Sequence, residues 1–312
     1  MTIEDAPSAG TTEFVGRCGV CAIIVTYNIG QAISACFESI RDQVAHVIFV
    51  DNGSDEITRG ELKKLACANP VTLILNEKNE GLARGLNQGV KWAMSRGYPW
   101  ALTLDHDSAA TPGMVEKLVR ASEALYQESR QDVAIVGTNP LDKNTGVFIK
   151  GFCPDGDSRP VEVEHLISSG SLIRCEVFNK VGFFDEALFV YCVDDDFCLR
   201  LRRAGWKLFL CPSAVLLHRE GSRQRRRFLW RKAFYDGYGK QARYYVTRNY
   251  IYILRKHHPG VRVYWAVVLR LLKDYVKVIF YGEAPVSQIL FGLRGFLDAL
   301  RNRYGPLNAG KE

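Results

Sequence analysis

The sequence predicts an open α/β fold, a mostly parallel sheet flanked by helices, followed by a helical C-terminal extension. Between Val20 and Val136 short β-branched apolar runs alternate with amphipathic segments. The runs are nearly continuous in apolar residues, as strands covered on both faces must be. Polar residues stand at the ends of the first four runs, and ligands of such sheets bind outside the carboxyl ends of the strands.

Taken in order, "VCAIIVTYN" reads as the first strand, "HVIFVDNGS" as the second, "VTLILNEKNEG" as the third and "WALTLDHDS" as the fourth. Between them "ISACFESIRDQ", "ITRGELKKLACAN" and "GLARGLNQGVKWAMSRG" have helical periodicity, the last ending on the glycine that commonly closes a helix. A fifth strand, "VAIVGTNP", precedes a hairpin-like "GVFIKGFCPDGD". The stretch from Val193 to Ala204 reads as a helix stopped by Gly205, and beyond Arg219 the chain turns basic, aromatic and helical. The organisation expected is a loose tail over 1–17 and an α/β domain over 18–220, in two halves, 18–107 and 108–220. A C-terminal region over 221–312 follows.

A chain of 312 residues, 47% hydrophobic, can bury one large core or two smaller ones, which excludes a disordered protein. The first dozen residues lack the basic start and apolar core of a secretory signal. Nine cysteines, among them Cys21, Cys175 and Cys198 in apolar surroundings, suit reduced core-filling thiols and a cytoplasmic setting. Cys18 and Cys21 have the spacing of half a zinc site, but no second such pair follows, so a structural role is expected. The net charge of +7 is unevenly placed. Sixteen Lys and Arg from Arg219 to Lys277 face three acids, leaving +13 there and −6 elsewhere. Nucleic acid, anionic lipid and phosphorylated substrates are all compatible with that imbalance.

Asp105 and Asp107 lie at i and i+2 just past the fourth strand. Two carboxylates so placed can turn toward Mg2+ or Mn2+, which bind substrate phosphates alongside one or two acids. The bland alternative is that Asp105 caps a turn and Asp107 is solvated. Asp51, after the second strand, can accept from a ribose hydroxyl or a base N–H. Neither a G-x-G-x-x-G nor a G-x-x-x-x-G-K-[ST] loop is present, which disfavours nicotinamide cofactors and the common ATPases. Asp194, Asp195 and Asp196 open a helix, where the dipole favours acids. Three in a row also repel, and one held near apolar groups gains the basicity to take a proton from an acceptor hydroxyl. His218 reads equally as a structural histidine or as a nitrogen ligand beside carboxylates.

With those residues in view the chain resembles family 2 glycosyltransferases, and within them the bacterial rhamnosyltransferase branch. The matching motifs are "CAIIVTYN", "VDNGS", "NEGLARGLNQG", "LDHDS", "SSGSLI", "GFFDEALFVYCVDDDFCLR", "HREGS" and "RYYVTRNYIYILRK", in that order over residues 20–256. The resemblance implies the GT-A fold, a Rossmann-like sheet flanked by helices, with 18–220 as the catalytic domain, 18–107 its nucleotide-sugar-binding half and 108–220 its acceptor-binding half. It implies a nucleotide-sugar pocket of Thr26, Tyr27, Asn28, Asp51, Asn79, Gly81, Arg84, Asn87, Asp105 and His106. A metal would sit on Asp105, Asp107 and His218, with Asp107 the direct contact. Asp194 would be the catalytic base, and Asp195, Asp196, Tyr191 and Arg200 would support the acceptor. At Tyr191 the branch often carries an acid, so acceptor contacts differ here. The implied reaction is a single inverting displacement, giving an α-L-rhamnoside from dTDP-β-L-rhamnose.

The run "VRVYWAVVLRLLKDYVKVIFYG" approaches the length of a membrane span, but Arg270, Lys273, Asp274 and Lys277 interrupt it. An interfacial helix on an anionic inner leaflet, near a glycan or lipid-linked acceptor, fits this composition; so does a helical subdomain packed on the core. No nucleic-acid motif is present, so no nucleic-acid partner is expected. The expected location is cytoplasmic, peripheral on the inner membrane. Two competing functions stand beside rhamnosyl transfer: the same fold with a UDP- or GDP-hexose donor, and a membrane-associated binding protein without turnover.

Overall fold

The computed structural model of the protein describes residues 2–5, 19–129, 132–149, 151–152, 159–219, 223–228, 231–258, 260–282 and 284–307. It divides into two compact units, Met1–Asp185 with Asp194–His218, and Glu186–Val193 with Arg219–Glu312. The second unit takes up the chain from Arg219 onward. The excursion of Glu186–Val193 into the second unit leaves no mark in the sequence.

The elements run β1 (Thr2–Asp5), β2 (Val20–Thr26), α1 (Ile33–Ile40), β3 (His46–Asp51), α2 (Glu56–Ala68), β4 (Thr72–Leu75), α3 (Leu82–Ser95) and β5 (Trp100–Asp105). Then come β6 (Ala109–Ala110), α4 (Met114–Ser129), β7 (Val133–Asp142), β8 (Val161–Val163), β9 (Ser171–Arg174), α5 (Glu176–Val181), α6 (Val193–Arg203) and β10 (Lys207–His218). The chain closes with β11 (Arg223–Phe228), β12 (Arg231–Asp236), α7 (Lys240–His257), α8 (Val261–Tyr281) and α9 (Pro285–Leu300). The Val193 helix and its Gly205 stop, in a left-handed conformation, lie where the sequence puts them.

In the first unit β1, β4, β3, β2, β5, β9, β7, β10 and β6 form one sheet, with β8 added on β10. The four strands read first are mutually parallel, and β2 is buried along its whole length, which is why its sequence is apolar throughout. The second half is mixed. The antiparallel strand β9 stands between β5 and β7, so the fifth run does not extend the parallel set directly. Thr2–Asp5 pairs antiparallel with β4, so this stretch of the expected loose tail is instead an edge strand. Residues 6–18, with Cys18, lie outside the described residues, as does Cys153 in the expected hairpin. Cys21, Cys175 and Cys198 are buried free thiols, as expected.

Close packing fixes α3 on the sheet. A Cβ on Gly89 would stand 2.3 Å from Ile23 Cγ2, so only glycine admits this approach of helix to strand. Phe178, Phe184 and Phe197 cluster around α5 and α6: Phe178 stacks on Phe197 and meets Phe184 edge-on, and the Phe184 and Phe197 centroids are 4.5 Å apart.

In the second unit the helical C-terminal region is present as α7, α8 and α9, and β11 and β12 add an antiparallel hairpin before them that the sequence reading did not include. Nor are all its cations at the surface. Arg248 is fully buried, donates to the carbonyls of Leu188 (2.9 Å) and Gly305 (2.5 Å) and lies over the rings of Tyr244 and Tyr245. Neighbouring Asn249 donates to the carbonyls of Leu188, Val190 and Tyr191. Together they hold the Glu186–Val193 segment, where Phe189, Tyr191 and Cys192 have positive φ.

Candidate active site

The turns after β2, β3 and β5 build one side of the site. Asn28, left-handed at φ 50°, is locked by its N–H to Ser54 Oγ (2.9 Å) and by its side-chain oxygen, which accepts from the Asp55 N–H (2.8 Å). Gly53 has φ 72° and lies against the Lys78 backbone, where a Cβ would approach to 2.5 Å. Tyr27 remains exposed and available to stack on a base. Asp51 is different. Its carboxylate is enclosed, one oxygen accepting from Thr26 Oγ1 and the other from the Ser54 N–H and Arg59 Nε, each at 3.1–3.2 Å. Asp51 and Thr26 therefore shape the turn, and Asp51 does not offer the free acceptor the sequence suggested.

Asn87 is a second correction. Its amide spans the Phe184 backbone, donating to the carbonyl and accepting from the N–H, both at 2.9 Å, deep in the core. It joins α3 to the loop before α6, and both ends of its amide are engaged there. Asn79 accepts from the Gly81 N–H, and Gly81, at φ 89°, sets the start of α3. Arg84 is half-exposed beside Glu80 at 3.5 Å, and His106 Nδ1 meets the Val25 carbonyl at 3.2 Å.

Asp105, Asp107 and His218 come together although 113 positions separate the first from the last. Each can bring one donor atom within 4.8 Å of the others. The long strand β10 ends at His218, whose Nδ1 lies 3.9 Å from Asp105 Oδ2 and 3.0 Å from Ser108 Oγ. Ser169 Oγ joins Ser108 at 2.9 Å and accepts from the Asp105 N–H, tying the loop before β9 to the end of β5. Lys143 donates from Nζ to the Asp107 carbonyl (2.7 Å) and places an ammonium beside the acids. Two carboxylates and an imidazole are a fitting set for a hard or borderline divalent cation such as Mn2+. Without a cation, desolvation raises the Asp105 pKa; His218 opposes this, Asp107 adds to it, and Asp194 adds more weakly. Asp194, in α6, is near enough for its charge to act on Asp105.

Asp194 lies in the first turn of α6. Burial raises its pKa, the Asp195 charge raises it further, and His165 opposes both. His165 Nε2 is 3.8 Å from Asp194 Oδ2 and 3.4 Å from Asp195 Oδ1. Asp196 has another task. Fully buried, it accepts from Arg200 Nε at 2.8 Å, and Arg200 reaches on to the carbonyls of Val181 and Phe183. Of the two roles expected for Asp196 and Arg200, binding the acceptor or supporting the site, these contacts fit support: the pair forms a strut. Tyr191 belongs to the second unit, its ring edge-on to Tyr238 and its pKa raised by burial.

Sequence reading missed His165, Lys143, Ser108, Ser169 and Arg59. Ser108 and Ser169 stand inside the motifs "LDHDS" and "SSGSLI" without a role read for them, whereas His165 and Lys143 lie in loops and Arg59 in the first turns of α2, with no motif around them. A family model described as glycosyl transferase family 2 matches residues 21–182, which take in strands β2 to β9 and both carboxylates of the aspartate pair. The chain belongs to glycosyl transferase family 2. This family 2 glycosyltransferase is 28% identical over 294 residues to the dTDP-rhamnosyl transferase RfbF of Shigella flexneri, spanning 88% of this chain and 95% of that one. It is 32% identical over 101 residues to the rhamnosyltransferase WbbL of Escherichia coli, spanning 31% of this chain and 38% of WbbL. Its fold is similar to that of the mannosyltransferase PcManGT of Pyrobaculum calidifontis, solved with GDP-Man and Mn2+ (TM-score 0.54, 16% identity, 91% of this chain and 82% of that one).

Proposed function

We propose that this glycosyltransferase moves L-rhamnose from dTDP-β-L-rhamnose to a hydroxyl of a glycan or lipid-linked acceptor in bacterial surface-polysaccharide synthesis, with inversion, using Mg2+ or Mn2+. The observation that carries the reading is the adjacency of the Asp105–Asp107–His218 triad to Asp194, a carboxylate whose burial makes it more basic than usual. The near full-length similarity to a dTDP-rhamnosyl transferase supports the choice of donor.

Asp194 accepts the proton of the acceptor hydroxyl, and the Asp195 charge keeps that carboxylate basic enough to hold it. The acceptor oxygen then forms its bond to the anomeric carbon while the bond from that carbon to the diphosphate oxygen breaks, the electron pair leaving with the nucleotide. Attack from the face opposite the leaving group inverts the centre. Asp105, Asp107 and His218 would hold the cation, which when bound supplies positive charge to the departing diphosphate. The Lys143 ammonium lies beside Asp107 on the same edge. Tyr27 and the Asn28–Ser54 turn bound the nucleotide side.

The reading includes a peripheral position on the cytoplasmic face of the inner membrane, supported by the basic, apolar C-terminal helices; no helix among the described residues is long and apolar enough to cross a membrane. Calorimetry with dTDP-rhamnose, UDP-glucose and GDP-mannose, with and without Mn2+, tests the donor. Metal-dependent binding of dTDP-rhamnose alone, with turnover lost in Asp107→Ala and Asp194→Asn, is the expected result. Preference for a hexose donor removes rhamnose and leaves the chemistry. Absence of both donor binding and turnover leaves a binding protein without catalysis.

A further inference from the structure

The C-terminal helices carry apolar surface that their own packing does not use. On α8, Tyr264, Val268, Leu271, Tyr275 and Ile279 recur at three- and four-residue spacing, the pattern of a helix face that packs on a core. Here that face borders an open groove of about 1290 Å3, bounded on the other sides by Ile251 and Leu254 of α7 and by Leu293 and Phe296 of α9. Ligand pockets for small molecules run roughly 300–1,000 Å3 and carry converging polar groups. This space is larger and its walls are aliphatic and aromatic, with Arg255, Lys256 and His258 gathered at the end of α7. The residues from Tyr264 to Ile279 span about 22 Å of helix, against about 15 Å for one leaflet of a bilayer core.

The outer surface continues the theme. Trp265, Leu269, Val276 and Phe280 of α8 are exposed, as is a stripe of Val286, Leu290 and Leu297 on α9. Apolar surface this extensive marks a docking face. Charge selects its partner: residues 255–303 hold nine Lys and Arg against three acids. A second copy of the chain would bring like charge onto like charge, whereas an anionic bilayer is complementary to both the cations and the apolar face.

We propose that the groove between α7, α8 and α9 takes up one hydrocarbon chain of an anionic membrane lipid, with α8 and α9 lying in the interface. The inference rests on the membrane position proposed above and adds a lipid-chain site to it. The basic residues hold the headgroup layer, the exposed stripes enter the acyl boundary, and the drawn-in chain fills the gap between α8 and its neighbours.

Two measurements on the full chain separate the claims. Co-sedimentation with phosphatidylcholine vesicles, with or without phosphatidylglycerol, reads surface docking. Calorimetry with lysophosphatidylglycerol below its micelle concentration reads uptake of a single chain. Wild-type protein should bind only the anionic vesicles and take up the single chain. A Val268→Trp/Leu271→Trp variant, which fills the groove, should weaken chain uptake by about tenfold or more while vesicle binding persists. Leu269→Glu/Phe280→Glu should do the reverse. Unchanged circular dichroism and nucleotide-sugar binding control for folding. Chain uptake unaffected by the tryptophans overturns the groove and leaves the membrane position standing. Chain uptake without vesicle binding overturns the membrane position and leaves the groove. A wild-type protein that binds neither, and that sediments as a dimer split by Leu293→Glu, overturns both and makes the face a contact between copies.

Discussion

Exchanging Asp196 for alanine and Asp194 for asparagine should separate the jobs that these neighbouring aspartates of one helical turn perform. Asp196 is fully buried and accepts from Arg200 Nε at 2.8 Å, and that guanidinium, 16% exposed in its side chain, also holds the carbonyls of Val181 and Phe183. Removing one partner of a buried ion pair leaves the other charge uncompensated and costs about 3–5 kcal/mol. In a unit of some 200 residues each kcal/mol moves the melting temperature by about 2–4 °C, so Asp196→Ala should melt about 6–20 °C lower. Asp194→Asn should behave oppositely. Burial and the Asp195 charge hold the Asp194 carboxyl above its unfolded value, so folding favours its protonated form. That contribution is full below the unfolded value, about 4, and is lost as pH rises through the raised folded value. The neutral isostere removes the loss, so at pH 7 the variant should be no less stable than wild type. Its turnover should fall by about 10²–10⁴, the usual contribution of a positioned base. Thermal melts from pH 4 to 8 and nucleoside-diphosphate release under saturating donor read both effects. Full turnover in Asp194→Asn, or an Asp196→Ala protein as stable as wild type, would refute the division of labour.

The acid limb of kcat should lie above the ordinary carboxylate range, move down in Asp195→Asn and move up in His165→Gln, because those neighbours respectively raise and lower the Asp194 pKa; a pH–rate series checks it. His218→Ala and Asp107→Ala should each weaken Mn2+ binding in calorimetry, and chelation should abolish turnover until Mn2+ or Mg2+ is restored. Asn87→Ala should cost about 1–3 kcal/mol for each Phe184 backbone group left unsatisfied, with donor affinity unchanged, as read by urea unfolding and calorimetry. Gly89→Ala should cost about 1–3 kcal/mol through overpacking on Ile23, again by urea unfolding.

Much of the fold was legible because its signals are local. The apolar runs of β2, β3, β4 and β5 must be buried on both faces, and the residues that stop them must stand at the ends of the strands. Asp105 and Asp107 could therefore be placed at a strand end, and Asp194 in the first turn of a helix, from spacing alone. What those residues do once there was less accessible. Asp51 and Asn87 carry the right side chains for ligand contact, but packing closes both of them. Asp194 and Asp196 are the same residue type two positions apart, and helical geometry turns one toward His165 and the other into the core against Arg200.

The sequence by itself determined the order of the elements, the strand-end carboxylates, the helix beginning at Val193 and the basic character of the last third. The tertiary structure alone decided that β9 enters antiparallel between β5 and β7, that β10 carries His218 back to Asp105, and that His165 meets Asp194 and Asp195. It also decided that α8 borders an open groove. The reason is the range of the forces that matter. Periodicity and capping act over three or four residues and are written in consecutive positions. The pairing of strands a hundred residues apart, and the burial that shifts a carboxyl or silences it, depend on which surfaces close upon one another when the whole chain packs.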